Sequence, residues 1–386
     1  MKIVILGNFP IYNYADQLGI KSDTVKRVTT WNENLATEMS NIPNTEIFFI
    51  TSTKAIRKTE VIKRNNLTVY FIVFPPKVNI ITLFRYAQYS ITKVIDDINP
   101  DLVHGIGTEH IWPTIAINSK RKCLITIHGI LHEFYKKEKL SYFSLKRYFI
   151  YLEKKILKNQ QKIITINPYV VSVCDKLCED HKYFNISNPI SSVFRKLEAD
   201  PENSHQILFI GDFELRKNIK LVLRALAELD DLIPRNYKLK IIGTIKDKKY
   251  YDTIFTGLPQ SVLNRLTIIP FLLPEQIANE MSKSAILLLT SYNETAPMVI
   301  AEAMTIGLPV IATDVGGVKY MINNEINGYV IKSDSLLGLK KHLIELINNP
   351  ILRKNVGNAA RLFATKEYDS KIIAKKTIDV YKQILK

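Results

Sequence analysis

Short aliphatic runs that stop at a glycine recur along this chain, and helical periodicity fills the intervals between them. Residues 3–6 (IVIL) lead into Gly7, 207–210 (ILFI) into Gly211 and 239–242 (LKII) into Gly243. Further strand-like runs cover 45–50, 68–74, 102–103, 123–127, 162–166, 285–289 and 310–313. Apolar residues at helical spacing mark 28–39, 85–98, 219–229 and 336–347. Strands separated by helices return in the same direction, which gives parallel sheets covered on both faces. The fold class is therefore α/β, and two such sets in 386 residues predict two Rossmann-like, doubly wound domains. The stretch 185–204 carries two prolines and many turn formers without clear periodicity, so it marks the join. The domains are then 1–187 and 188–367. The last residues, 368–386, read as an amphipathic helix that can cross back onto the first domain.

The stretch richest in chemistry is 292–317, YNETAPMVIAEAMTIGLPVIATDVGG. Glu294 lies in a loop and Glu302, eight residues on, inside a helix. Pro297 suits the first turn of that helix, where its missing N–H is not needed, and Gly307 ends it. Free backbone N–H groups at a helix start make an anion site. Two carboxylates beside such a site suit a ligand with both phosphates and hydroxyls, and a nucleotide sugar is one. Glu302 can accept from two neighbouring hydroxyls at once, as on a ribose. The plainer alternative is a helix-capping acid and a surface charge. In the same half, Gly211 opens GDFELRKN, which brings Arg216 and Lys217 to a helix start where they can neutralise a diphosphate. Taken alone, those two would be ordinary solvated cations.

His128 follows the 123–127 run and precedes Gly129, at a strand end where parallel folds bind ligands. A lone histidine is more often structural, and His104, before Gly105, has a similar but weaker placement. Gly7 and Asn8 end the first strand, so their backbone can approach a ligand. No GxGxxG stands there and no Walker lysine loop occurs, which disfavours a dinucleotide or P-loop site.

The formal net charge of +16 asks for a partner. Nucleic acid, an anionic membrane face and phosphorylated substrates are candidates. The lysines are scattered and no nucleic-acid recognition motif occurs, so nucleic acid is not expected. The 134–158 segment, FYKKEKLSYFSLKRYFIYLEKKILK, sets eight basic residues among aromatics. It is either a face for anionic lipid headgroups or a solvated helix whose aromatics pack inward. No run of about 18 apolar residues occurs, so no transmembrane helix is expected. Residues 1–6 are too short for a signal-peptide core. A cytoplasmic protein is expected, with the inner face of the cell membrane as a candidate peripheral location. Cys123, Cys174 and Cys178 lack metal-type spacing, so they read as packed thiols and no metal site is expected.

Together these pieces resemble the retaining glycosyltransferases of family four, which have the GT-B fold. The resemblance rests on GDFELRKN, KIIG, the E-x7-E run NETAPMVIAEAM, and GLPVIATDVGG followed by NGYVI. In the first half it rests on PDLVHGIG and LITIHG. It implies two Rossmann-like domains facing across a cleft, the second holding a nucleoside diphosphate sugar and the first an acceptor. By that likeness Glu294 contacts sugar hydroxyls, Glu302 the ribose, and Lys217 with Arg216 the diphosphate. The backbone across Ala296, Pro297, Met298 and Val299 completes the phosphate site, and the base rests near Phe271 and Leu272. His128 contacts the donor sugar, and Gly7 lets the first loop come close to it. His128, Lys217 and Glu294 are then the catalytic candidates. The chain departs from the family pattern at Asp212, where an arginine often follows the glycine, and at Tyr320, where an acid is usual. It also has QLGIKSDT, with Gly19, in place of paired glycines in the first loop.

The implied activity is retaining transfer of a hexosyl group to a saccharide or lipid-linked saccharide, in bacterial surface polysaccharide synthesis. Neither metal nor other cofactor is expected, because no DxD-type pair stands out and the cations near 216 can carry the leaving charge. A sugar-nucleotide epimerase of GT-B shape is the nearest alternative. A two-carboxylate glycoside hydrolase and a basic nucleic-acid-binding protein are more distant ones.

Overall fold

A computed structural model describes residues 1–20, 30–136, 140–141, 144–160, 162–177 and 181–386. Of the sequence expectations, the first two residues of the 28–39 helix, Cys178, and residues 137–139 and 142–143 of the basic segment lie outside the described residues. The chain forms two compact units. One comprises Met1–Pro189 together with Ser370–Lys386, and the other Ile190–Asp369.

The first unit holds β1 (Lys2–Leu6), β2 (Glu46–Ser52), β3 (Glu60–Arg64), β4 (Leu67–Ile72), β5 (Leu102–Ile106), β6 (Cys123–Ile127), β7 (Lys162–Thr165) and β8 (Lys182–Asn185). They lie in the order β3-β4-β2-β1-β5-β6-β7-β8. The second unit holds β9 (Gln206–Ile210), β10 (Lys238–Ile242), β11 (Leu266–Ile269), β12 (Ile286–Leu289), β13 (Val310–Thr313) and β14 (Tyr329–Ile331), in the order β11-β10-β9-β12-β13-β14. Only the β3–β4 pair is antiparallel among the described residues. Strand order reverses at β1/β5 in the first sheet and at β9/β12 in the second. Such reversals open a crevice at the carboxyl ends of the strands.

The central strands are apolar on both faces because helices cover both. Ile207 and Phe209 of β9 point into one core while Leu208 points into another, as the two-residue period of a strand requires. In the first unit Ile3 and Ile5 divide from Val4 and Leu6 in the same way. The terminal helix Ser370–Leu385 sends Ile373, Ala374, Ile378, Tyr381 and Ile384 into the first unit's core. It is also tied there by a buried polar chain. Tyr381 Oη lies 2.7 Å from His104 Nδ1, and His104 Nε2 lies 2.7 Å from Thr126 Oγ1. His104 therefore sits inside β5 with no exposed surface, not at a strand end facing a ligand as its sequence placement hinted. Burial lowers its pKa to about 3, so the ring is neutral and serves as one donor and one acceptor.

The helix Met298–Ile306 is positioned by two glycines. Gly307 takes the left-handed C-cap conformation, with φ 88°. Gly357, in the helix Pro350–Glu367, lies so close that a β-carbon there would collide with the Gly307 carbonyl oxygen. Gly357→Ala should therefore cost about 1–3 kcal/mol of stability, as overpacked sites do. Urea denaturation checks this; an unchanged midpoint would show that the two helices can separate without loss.

Candidate active site

At the reversal between β9 and β12, two loops are bound to each other. After β9 the chain passes Gly211 and a short 3-10 turn, Leu215–Lys217, before the helix Ile219–Glu228. Gly211 makes room for the Lys217 stem, whose Cδ lies 3.3 Å from where a β-carbon would stand. After β12, Thr290 Oγ1 donates to the Asn218 carbonyl at 2.9 Å and Tyr292 N to the Arg216 carbonyl at 2.8 Å. These bonds fix the cations of the first loop against the acid of the second.

That acid is Glu294. Its Oε1 accepts from Lys217 Nζ at 2.6 Å, Ser291 Oγ at 2.8 Å and Arg216 Nη1 at 3.2 Å, while Oε2 makes none of these contacts. Burial alone would push its pKa up. Lys217 and Arg216 outweigh burial and hold the carboxyl below its ordinary range. Arg216 also binds Glu214 Oε1 at 2.7 Å and the Asn293 carbonyl at 3.1 Å. Both cations predicted to face a diphosphate are thus anchored on carboxylates, which aim them and balance their charge.

The helix Met298–Ile306 begins just beyond Glu294. Pro297 is its N-cap, with ψ 115°, rather than a residue of the first turn as the sequence implied. Regular helix therefore starts at Met298, one residue later than the sequence placed it. Met298 and Val299 are then the first helical N–H groups, with no earlier turn to bind them. Glu302 lies one turn in from Met298, on the same face. No cation pairs with it among the described residues, and burial raises its pKa to about 7. Leu272, Ala296, Met298 and Val299 all pack on the same core of the second unit. Phe271 precedes Leu272 and is half-buried.

Asp212, the residue that departs from the family pattern, has a local structural task. Its Oδ1 accepts from Thr244 N at 3.0 Å and Thr244 Oγ1 at 2.6 Å, joining the ends of β9 and β10. Ser291, Glu214 and Asn218 escaped the sequence reading because each acts through a neighbour. Asn218 takes φ 47° and donates to Asp334, which also accepts from Tyr292 Oη at 2.8 Å. A serine three residues before Glu294 was the one available signal.

Gly7 and His128 belong to the first unit. Gly7 follows β1, where a β-carbon would press on Ile106 and Asn32, and Asn32 Nδ2 donates to the Asn8 carbonyl at 2.6 Å. His128 follows β6 beside the Trp31 ring, with centroids 5.6 Å apart. It lines a cavity of about 20 Å³ with Thr126, Asn188 and Thr377, room for one water. Both ring nitrogens are buried there, with the Asn188 side chain as a polar neighbour. Burial lowers its pKa to about 4, so it is a neutral ring near pH 7. Sequence reasoning also missed Glu109 after β5, whose carboxylate packs against Gly107 and Gly129 and whose pKa burial raises to about 7.

Comparison with known proteins follows the same division. A family profile described as Glycosyl transferases group 1 matches residues 192–363, and one described as Glycosyl transferase 4-like matches 44–167. An uncharacterised glycosyltransferase of Methanocaldococcus jannaschii is 27% identical over 280 residues, 72% of this chain and 74% of that protein. Further relatives match over less than two thirds of their own length. Among solved structures, the fold is similar to a sucrose-phosphate synthase from Thermosynechococcus elongatus, with TM-score 0.82 at 16% identity over 100% of this chain and 99% of that one. It is also similar to HepE from Anabaena, solved in complex with UDP-glucose, with TM-score 0.70 at 14% identity over 99% and 100% of the two chains.

Glu302 makes a pH prediction. Its folded pKa of about 7 stands above the ordinary 4.5, so the native state holds this proton more tightly than the unfolded chain. The stability it contributes is full below the lower value and is lost as pH rises through the upper one. Glu302→Gln should flatten the decline in stability over that window. Glu109, shifted the same way, is present in both proteins and cancels from the difference; identical slopes would contradict the assignment.

Proposed function

The chain belongs to the group 1 glycosyltransferases and has the GT-B fold, and from that premise we propose that it moves a hexosyl group from a nucleoside diphosphate sugar to a saccharide or lipid-linked saccharide, with retention at the anomeric carbon. The observation that carries this reading is the Lys217–Glu294–Arg216 cluster beside the start of the helix Met298–Ile306. The UDP-glucose bound in the Anabaena protein supports a UDP sugar as the donor class.

On this reading the bond between the anomeric carbon and the β-phosphate oxygen breaks. The acceptor oxygen bonds to that carbon on the same face, and the acceptor proton passes to the departing phosphate. Lys217, Arg216 and the Met298 and Val299 N–H groups stabilise the charge that grows on the diphosphate. Glu294 keeps Oε2 for sugar hydroxyls, Glu302 takes the ribose diol, and the segment at Phe271 and Leu272 supports the base. A hydrogen bond to the ribose favours the ionised form of Glu302, so donor binding should strengthen as pH rises through about 7. The reaction needs no metal, since these cations do the equivalent work. Among the described residues no helix is long and apolar enough to cross a membrane. We place the reaction on the cytoplasmic side, at the inner membrane face, in surface polysaccharide synthesis.

Calorimetry with UDP and UDP sugars tests the site. Lys217→Ala and Glu302→Ala should each weaken UDP binding by about ten-fold or more, the scale of a lost charge-assisted contact. Glu294→Gln should remove the gain in affinity that the sugar adds to UDP. Wild-type affinity in both alanine variants would overturn the assignment. Transfer should persist in excess EDTA; complete loss that Mg²⁺ restores would overturn metal independence.

A further inference from the structure

We propose that the first unit docks on an anionic phospholipid bilayer through an apolar turn near residue 81 and the basic helix face held against it. This deepens the proposed function and rests on its placement of the reaction at a membrane.

The helix Leu145–Asn159 exposes Lys146, Arg147, Lys154, Lys155 and Lys158. Its one acid, Glu153, is fully buried, accepting from Leu131 N at 2.7 Å, His132 N at 3.0 Å and Thr108 Oγ1 at 3.1 Å. Every charge this helix turns to solvent is therefore positive. Phe149 packs inward, against Phe84 at 5.4 Å, whereas Tyr151 is 61% exposed. The segment thus divides between the two alternatives its sequence left open.

Beside it stands a turn with the opposite character. The helix Pro76–Ile81 has no buried residue and no acid in its sequence, PKVNII. Ile81 is 81% exposed, and Ile80 and Leu83 each expose about half their surface. Leu83 and Phe84 both take positive φ, 47° and 64°, rare for residues other than glycine. This pair reverses the chain so that Phe84 stacks on Tyr148, with centroids 6.5 Å apart, while the Leu83 carbonyl accepts from Tyr148 Oη at 3.2 Å. The turn is therefore fastened to the basic helix. Tyr86 and Tyr89, one helical turn apart on Arg85–Ile98, extend the exposed stripe, and Tyr89 is 72% exposed. Asp96 and Asp97, the acids of that helix, lie at its far end.

The combination selects the occupant. Exposed Ile80, Ile81 and Leu83 offer no hydrogen bonds, and burial in acyl chains removes them from water. Tyrosines suit the interfacial layer, and lysine and arginine suit anionic headgroups. A nucleic acid would meet the cations but leave the aliphatic turn in water.

The test is cosedimentation of the full chain with phosphatidylcholine vesicles, with and without phosphatidylglycerol. Binding is expected with the anionic vesicles and should weaken with salt. Lys154→Gln/Lys155→Gln should weaken it about 25-fold, at about five-fold per charge. Ile80→Ser/Ile81→Ser should weaken it at least as much. In Ile81→Trp, fluorescence measured against the parent chain should shift to the blue on binding. All variants should keep the parent's thermal shift with UDP, which shows that they fold and separates this inference from the donor site. Vesicle binding unchanged in both double variants, or an unmoved Ile81→Trp emission on bound protein, would overturn it. So would tighter binding to an oligonucleotide, or a lipid-free dimer that Ile80→Ser/Ile81→Ser dissociates.

Discussion

One oxygen of Glu294 receives a lysine, an arginine and a serine, and the candidate site of the second unit is built around that convergence. Breaking a buried pair by removing one partner costs about 3–5 kcal/mol, because the other charge is left without compensation. The loops after β9 and β12 are therefore held together by their charges as well as by the Tyr292 and Thr290 hydrogen bonds. The result is an ion-paired shelf next to a helix start. Under the proposed function a diphosphate would meet donors already aimed, leaving little reorganisation for the moment of reaction.

The two acids of the E-x7-E run have opposite electrostatics. Glu294 is paired with cations that hold its pKa below the ordinary range, while Glu302 is half-buried, has no cation partner among the described residues, and has its pKa raised to about 7 by burial. The difference follows from position. Glu294 sits in the loop that faces both cations, and Glu302 sits one helical turn away with none beside it. A buried carboxylate without a cation costs stability, and on the proposed reading the ribose hydroxyls would recover it.

The central strands were legible because burial on both faces leaves continuous apolar runs, as in IVIL and ILFI. The four strands absent from the sequence reading, β3, β8, β11 and β14, are the four sheet edges. Edge strands are short and part-exposed, and β3, EVIKR, shows charge in place of an apolar run. Helices with a clear stripe, such as Arg85–Ile98, were readable to the residue. The candidate residues Arg216, Lys217, Glu294 and Glu302 carried a local signature in motif and spacing. Ser291, Glu214 and Asp334 did not, because their partners lie across loops that only the folded sheet brings together. His104 misled for a related reason: its strand continues to Ile106, and Tyr381, 277 residues away, claims its ring.

The central claim is that a donor's pyrophosphate is held by Lys217 and the Met298–Val299 backbone. A crystal structure of the protein grown with a UDP sugar or UDP tests this most directly. Phosphate oxygens within hydrogen-bond distance of Lys217 Nζ and of the Met298 or Val299 N–H, with a ribose diol on Glu302, are the expected result. Nucleotide density at another place on the second unit, with the Lys217–Glu294 pair untouched, would contradict it.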